Sequence, residues 1–176
     1  MLKFTAIMLV VLLLALLIYA STKPDTFQVQ RSIRIKAPPE KIFPFIDDLH
    51  AWLDWSPYEK KDPEMKRTFS GPAAGVGARY AWDGNNEIGA GSMEITESQP
   101  PSRVVMKLDF TRPFEAHNIV EFSLEPEGDA ATELTWAIHG PMPFLSKLMT
   151  VFFSMDKMIG KDFEVGLASL RTAVEN

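Results

Sequence analysis

The chain has 176 residues, 46% of them apolar and 23% charged, a globular balance with room for one domain and an appendage. A formal net charge of −5 argues against nucleic acid as a partner, because phosphate binding rests on clustered Lys and Arg. The absence of cysteine rules out disulfides, thiolate metal sites and cysteine nucleophiles, and leaves the redox compartment open.

After Lys3, the run from Phe4 to Ala20 carries no charge. As a helix it spans about 25 Å, slightly short of a hydrocarbon core of about 30 Å. A cleaved signal peptide is the alternative to an anchor. It needs small residues before the cut, and the best site, after Ala20, puts Ile18 three places back. Residues 1–22 are therefore expected to remain as a transmembrane anchor, with residues 4–20 in the membrane and the protein single-pass. Lys3 and the amino terminus compete with Lys23, Arg31, Arg34 and Lys36 for orientation. The short head favours a soluble domain on the extracytoplasmic, periplasmic side. Residues 23–26 form the linker, and the six-residue polar stretch Ser21–Thr26, including Pro24, keeps the domain, residues 27–176, within about 20 Å of the bilayer.

Phe27, Val29, Ile33 and Ile35 alternate with polar residues and predict a half-buried strand. Arg31 falls in the apolar phase, as a strand-end residue snorkelling to water or as a polar group directed into an apolar interior. Pro38-Pro39-Glu40 predicts a helix start. Lys41 to Trp55, containing Trp52 and Trp55, predicts two short helices or a kink, because Pro44 removes a backbone donor. Ser56 to Pro63 reads as loop, and Met65 to Phe69 as a short strand. Gly75-Val76-Gly77 lacks the third glycine and the following helix of a dinucleotide loop, so these glycines serve bends. Val76, Ala78, Tyr80 and Trp82 share a strand face, and Asp83-Gly84-Asn85-Asn86 turns the chain. Further strands are centred on Met93, Met106, Phe122 and Trp136, separated by turns at Gln99–Ser102 and Glu127-Gly128-Asp129 and ended by Gly140-Pro141. Each has one apolar face, the pattern of an antiparallel meander.

From Phe144 to Val174, Leu145, Leu148, Phe152, Met155, Ile159, Phe163, Gly166, Leu170 and Ala173 recur at three- and four-residue steps and predict one long amphipathic helix. Between Met142 and Met158 apolar residues cover most of its circumference, so that half faces a cavity, a membrane or a fully buried site.

Ala37-Pro38-Pro39-Glu40-Lys41-Ile42-Phe43 resembles the opening of the START-like (SRPBCC) superfamily. Trp55-Ser56-Pro57 and Gly75-Val76-Gly77 ahead of an aromatic strand fit the same pattern. Met158-Ile159-Gly160-Lys161-Asp162-Phe163-Glu164-Val165-Gly166-Leu167-Ala168 and Leu170 resemble the closing helix of its polyketide cyclase/dehydrase and lipid-transport branch. The likeness covers residues 27–174. It implies an α+β helix-grip fold: a curved antiparallel sheet of six or seven strands wrapped around the C-terminal helix, with an apolar cavity between them. Members bind lipids, sterols, polyketides or other hydrophobic molecules, and a minority are cyclases or aromatases. Pro44 and the N-terminal anchor depart from the soluble family pattern.

His50, His117 and His139 are scattered without metal-ligand spacing, no nucleophile elbow is present, and neither metal nor cofactor is expected. The inward-phase polar groups are Arg31, Asn118 and the Tyr80 hydroxyl. The best-supported expectation is membrane-tethered binding or transfer of a hydrophobic small molecule or lipid. Trp52, Trp55, Tyr80, Trp82, Trp136, Phe152 and Met155 would line the site, and Arg31 or Asn118 would meet the polar end. The alternatives are a cyclase/dehydrase-type enzyme and a membrane-anchored interaction module that docks through exposed Phe and Met near residue 150.

Overall fold

The structure, a computed structural model, describes residues 2–128 and 130–176. The anchor's first residue and Asp129 of the expected turn lie outside the described residues. In chain order the elements are helix α1 (Leu2–Ser21), strand β1 (Thr26–Ile35), and short helices α2 (Pro39–Ile42), α3 (Pro44–Asp47), α4 (Trp52–Trp55) and α5 (Pro57–Lys61). Strands β2 (Lys66–Ser70), β3 (Arg79–Asp83), β4 (Ala90–Gln99), β5 (Arg103–Arg112), β6 (Ala116–Pro126) and β7 (Thr132–Pro141) follow. Helices α6 (Phe144–Met149) and α7 (Met155–Glu175) close the chain.

The seven strands form one antiparallel sheet in the order β1-β7-β6-β5-β4-β3-β2, with α7 laid along β1: the helix-grip fold. Prolines set the short helices. Pro39, Pro44 and Pro57 each occupy a first helical turn, where the missing N–H costs nothing. Ser56–Pro63, expected as loop, contains α5, because Pro57 starts a helical turn that the apolar pattern was too short to show.

The expected single helix over Phe144–Val174 is two helices. Thr150 Oγ1 donates to the Lys147 carbonyl at 2.8 Å and closes α6, and extended Ser154 caps α7 by accepting from the Lys157 N–H at 3.3 Å. Leu148, Phe152, Met155 and Ile159 keep helical spacing straight through this break, so periodicity alone does not show it. Phe163, Leu167 and Leu170 are buried in the core, whereas Phe152 is exposed in the connection.

Register places the concave-face residues in rows across the sheet. Arg31, Trp136, Phe122 and Val104 form one, and Val29, Ile138, Val120, Met106 and Ile95 the next. Phe27 and Gly140 pair, as do Asn118 with Leu108, Leu108 with Met93, Met93 with Tyr80, and Tyr80 with Phe69, making a third row. Ala116, Phe110, Gly91, Trp82 and Arg67 make the last. The Asp156 end of α7 meets Arg31 and its Glu175 end meets the Lys36 N–H, so the helix covers the first rows and leaves the last two more open.

Candidate functional site

An aromatic cluster closes the covered half of the concave face. Phe163 stacks on Trp136 with ring centroids 4.0 Å apart and 10° between planes; Trp136 in turn stacks on Phe122. Trp52 and Trp55 meet Trp136 edge-on at 6.0 and 5.5 Å. The indole N–H groups of Trp52 and Trp55 donate to the Ile46 and Phe45 carbonyls, which tie α4 to α3. Trp136 Nε1 has no partner among the described residues. These rings fill the space between sheet and helix. Two surface hollows lie beside Arg34 and Arg171 and along Thr150–Met155.

The apolar 142–158 segment and the short helices at Ile42–Trp55 do not frame an opening between them. Helices α4 and α5 instead pack on α7, where Pro57 approaches Gly166 beside Trp136, so that end is sealed.

Exposure rises toward the other end. Phe27, Trp82, Leu108, Phe110 and Ile159 are partly exposed apolar side chains. Met155 and Ile159 lie on the face of α7 that carries Phe163, two turns and one turn nearer this end. Among these groups sits Asn118, only 7% exposed, on the inward phase of β6. A β-carbon at Gly140 would collide with Asn118 Oδ1, so the glycine makes the space that the carboxamide occupies. The Asn118 carboxamide has no hydrogen-bond partner among the described residues. Its polar atoms still reach solvent, so water or the polar end of a ligand can meet them.

A second polar group lies at the far edge of the sheet. Glu59, 8% exposed on α5, accepts from the Tyr80 hydroxyl at 2.5 Å and from Arg67 Nε at 2.7 Å. Burial, then the Glu59 hydrogen bond, push the Tyr80 phenol well above its ordinary value. Both Glu59 oxygens are engaged, and Arg67 also donates to the Pro63 and Met65 carbonyls. The cluster ties α5 to β2 and β3. Sequence reasoning passed over Glu59 because its segment read as loop. A signal was present in Arg67, which alternates in phase with Met65 and Phe69 and so needs a carboxylate on the apolar side.

Arg31 faces neither group. Its guanidinium clamps the start of α7, with Nη1 and Nη2 on Asp156 at 2.9 and 3.0 Å and Nε on Glu164 at 2.8 Å. Gly160 is required beneath it, since a β-carbon there would strike the guanidinium. The Arg31 hydrogen bonds hold the Asp156 carboxyl below the usual carboxylate range. A carboxyl with a depressed folded pKa contributes stability that is present above its unfolded value, about 3.9, and is lost as pH falls through the folded one. Acidification below about pH 4 is therefore expected to loosen the first turn of α7, with Ile159 methyl resonances shifting alongside the Asp156 carboxyl. Methyl resonances that stay fixed while Asp156 titrates would contradict the clamp.

Of the expected site residues, the structure brings Trp52, Trp55 and Trp136 together in the filled cluster. It places Tyr80 and Trp82 in an aromatic ladder running from His50 through Phe69 to Phe110. Asn118 and Met155 lie toward the open end, and Arg31 is committed to the helix. Phe152, 67% exposed, belongs to the surface hollow rather than to the interior. Among the described residues no cluster of three or more His, Asp or Glu side chains is placed to hold a metal ion.

A curved seven-stranded antiparallel sheet gripping a long C-terminal helix defines the START-like (SRPBCC) class. The chain belongs to the polyketide cyclase / dehydrase and lipid transport family, which it matches over residues 26–175. Solved structures agree on the fold. A protein of Chromobacterium violaceum is 18% identical, with a TM-score of 0.59 over 88% of this chain and 99% of that one. A major latex-like protein of ginseng, Panax ginseng, is 12% identical with a TM-score of 0.62 over 85% and 98%. A Helicobacter pylori protein is 8% identical with a TM-score of 0.64 over 89% and 92%. No curated protein matches the sequence.

Proposed function

We propose that the protein is a membrane-tethered binder of a hydrophobic small molecule, lipid-like, isoprenoid or polyketide-like, taken up at the open end of the concave face. The observation that carries this reading is the unpartnered Asn118 carboxamide set among partly exposed Phe27, Leu108, Phe110 and Trp82. A site with an apolar lining and one placed polar group is how proteins orient a hydrophobic ligand with a polar end. Met155 and Ile159 form the helix side of the site, and Tyr80 and Trp82 its sheet side. The filled cluster around Trp136 is its floor. Arg31, engaged by two carboxylates, does not meet the ligand; Asn118 does.

The family description supports lipid or polyketide chemistry at this level. Helix α1 is the one described helix long and apolar enough to cross a membrane, over Lys3–Ser21, and it supports the tether. Residues 1–22 are read as the anchor, 23–26 as the linker and 27–176 as the binding domain on the extracytoplasmic side. A cyclase reading would draw on Tyr80 as acid or base. Its hydroxyl proton is already donated to Glu59, and its raised pKa keeps the phenol protonated, so it has no free proton to give a substrate and is a poor base.

The test is organic extraction of full-length protein purified in detergent, followed by mass spectrometry. Wild type is expected to carry an apolar molecule in near-equal amount, and Phe110→Arg, which sets a charge at the open end, is expected to lose it while keeping its circular dichroism. A folded Phe110→Arg protein that retains the same molecule would place binding elsewhere.

A further inference from the structure

Helix α6 and its exit carry apolar side chains that the fold leaves uncovered. Leu145, Met149 and Phe153 follow one another at four-residue steps, flanked by Phe144 and Phe152, and Phe152 and Phe153 are 67% and 61% exposed. The only charged residue between Phe144 and Phe153 is Lys147. It turns inward, is itself buried, and pairs with Asp25 at 2.5 Å. An outward face without charge, next to a charge withdrawn from it, is suited to an apolar medium and not to water.

The position of this face relative to α1 identifies the medium. The last turn of α1 packs against α6, where Ala20 is fully buried, and the Met142 N–H donates to the Asp25 carbonyl at 2.7 Å. Directly at that turn the Lys23 ammonium lies 4.7 Å from the centre of the Tyr19 ring, the aromatic-plus-lysine pair that marks the level of lipid headgroups at the end of a span. So α6, with its uncovered apolar face, is held beside the point at which α1 would leave the bilayer.

We propose that α6 and residues 150–153 form an interfacial membrane foot: Phe144, Leu145, Met149, Phe152 and Phe153 insert at the headgroup–acyl boundary of the membrane that α1 spans. The occupant of this face is the lipid surface itself. The inference rests on reading α1 as a span. It deepens the binding reading, because α7 begins directly after the foot and carries Met155 and Ile159 from the membrane surface toward the open end of the sheet. A hydrophobic ligand dissolved in the bilayer would then reach the site without crossing bulk water.

The lack of cysteine makes the test direct. Full-length variants Phe153→Cys, Leu12→Cys and Glu125→Cys, each labelled with an environment-sensitive fluorophore, are reconstituted in phosphatidylcholine vesicles whose acyl chains carry nitroxide quenchers. Position 153 is expected to emit to the blue and to lose most of its emission to the quencher, as position 12 does. Position 125, at the opposite end of β6, keeps its emission. Loss at position 12 with none at position 153 overturns the foot and leaves the anchor standing. No loss at position 12 overturns the anchor and the foot with it. Blue-shifted but unquenched emission at position 153 means that protein, not lipid, covers the face, and also overturns the proposal.

Discussion

Replacing Phe163 with alanine is expected to lower the unfolding free energy by about 3–5 kcal/mol, the range for deleting a buried aromatic side chain from a core that cannot collapse. The site meets that condition. Phe163 is buried, its ring lies flat on Trp136 at 4.0 Å, and Trp136 is held between Phe122, Trp52 and Trp55. No single side chain in this stack can swing into the space without opening another contact. The effect is read from chemical denaturation of full-length protein in detergent, with wild type and variant compared at equal slope. Because the helix grips the sheet at this ring pair, the variant is also expected to lose α7 amide protection before strand protection. A loss below about 1 kcal/mol would mean that α7 does not seat on the sheet through this face.

The second large effect is at Glu59. Glu59→Leu removes the acceptor of the Tyr80 hydroxyl and the counter-charge of Arg67 at once. Breaking a fully buried ion pair on one side costs about 3–5 kcal/mol. Arg67 keeps 24% of its side chain in water, so about 2–3 kcal/mol is expected here. The sign of a compensating change separates this explanation from simple loss of packing. Adding Tyr80→Phe and Arg67→Met removes the orphaned groups and is expected to recover part of the stability, since an apolar replacement of a whole buried network can be neutral or better. A triple variant less stable than Glu59→Leu alone would show that the cluster contributes through packing.

What could be read from the sequence follows from where physical signals are local. Strand phases are local, and the concave face was legible down to Arg31, Asn118 and Tyr80 pointing inward. The helix break was not, because the apolar spacing runs on through Thr150–Ser154 while the cap that ends it is one serine hydroxyl. The fate of Arg31 depends on Asp156 and Glu164, more than a hundred residues away, and no pattern within β1 carries that partnership. The tryptophans illustrate the same limit. Periodicity places Trp52, Trp55 and Trp136 on inward faces, but whether rings line a space or fill it depends on how three separate elements converge, and here they fill it. Asn118 became distinctive only beside Gly140, whose missing side chain gives the carboxamide its room.

The central claim, uptake of a hydrophobic molecule at the open end of the concave face, is tested most directly by transfer from vesicles. Full-length protein in detergent-free nanodiscs is mixed with vesicles holding a fluorescent isoprenoid or fatty acyl probe, and energy transfer from the tryptophans to the probe is followed. Trp82 at the open end and the tryptophans of the floor are all donors, so wild type should gain transfer on mixing with loaded vesicles, and Phe110→Arg should abolish uptake while remaining folded. Transfer that persists undiminished in folded Phe110→Arg protein, or its absence in wild type with every apolar probe, would contradict the claim.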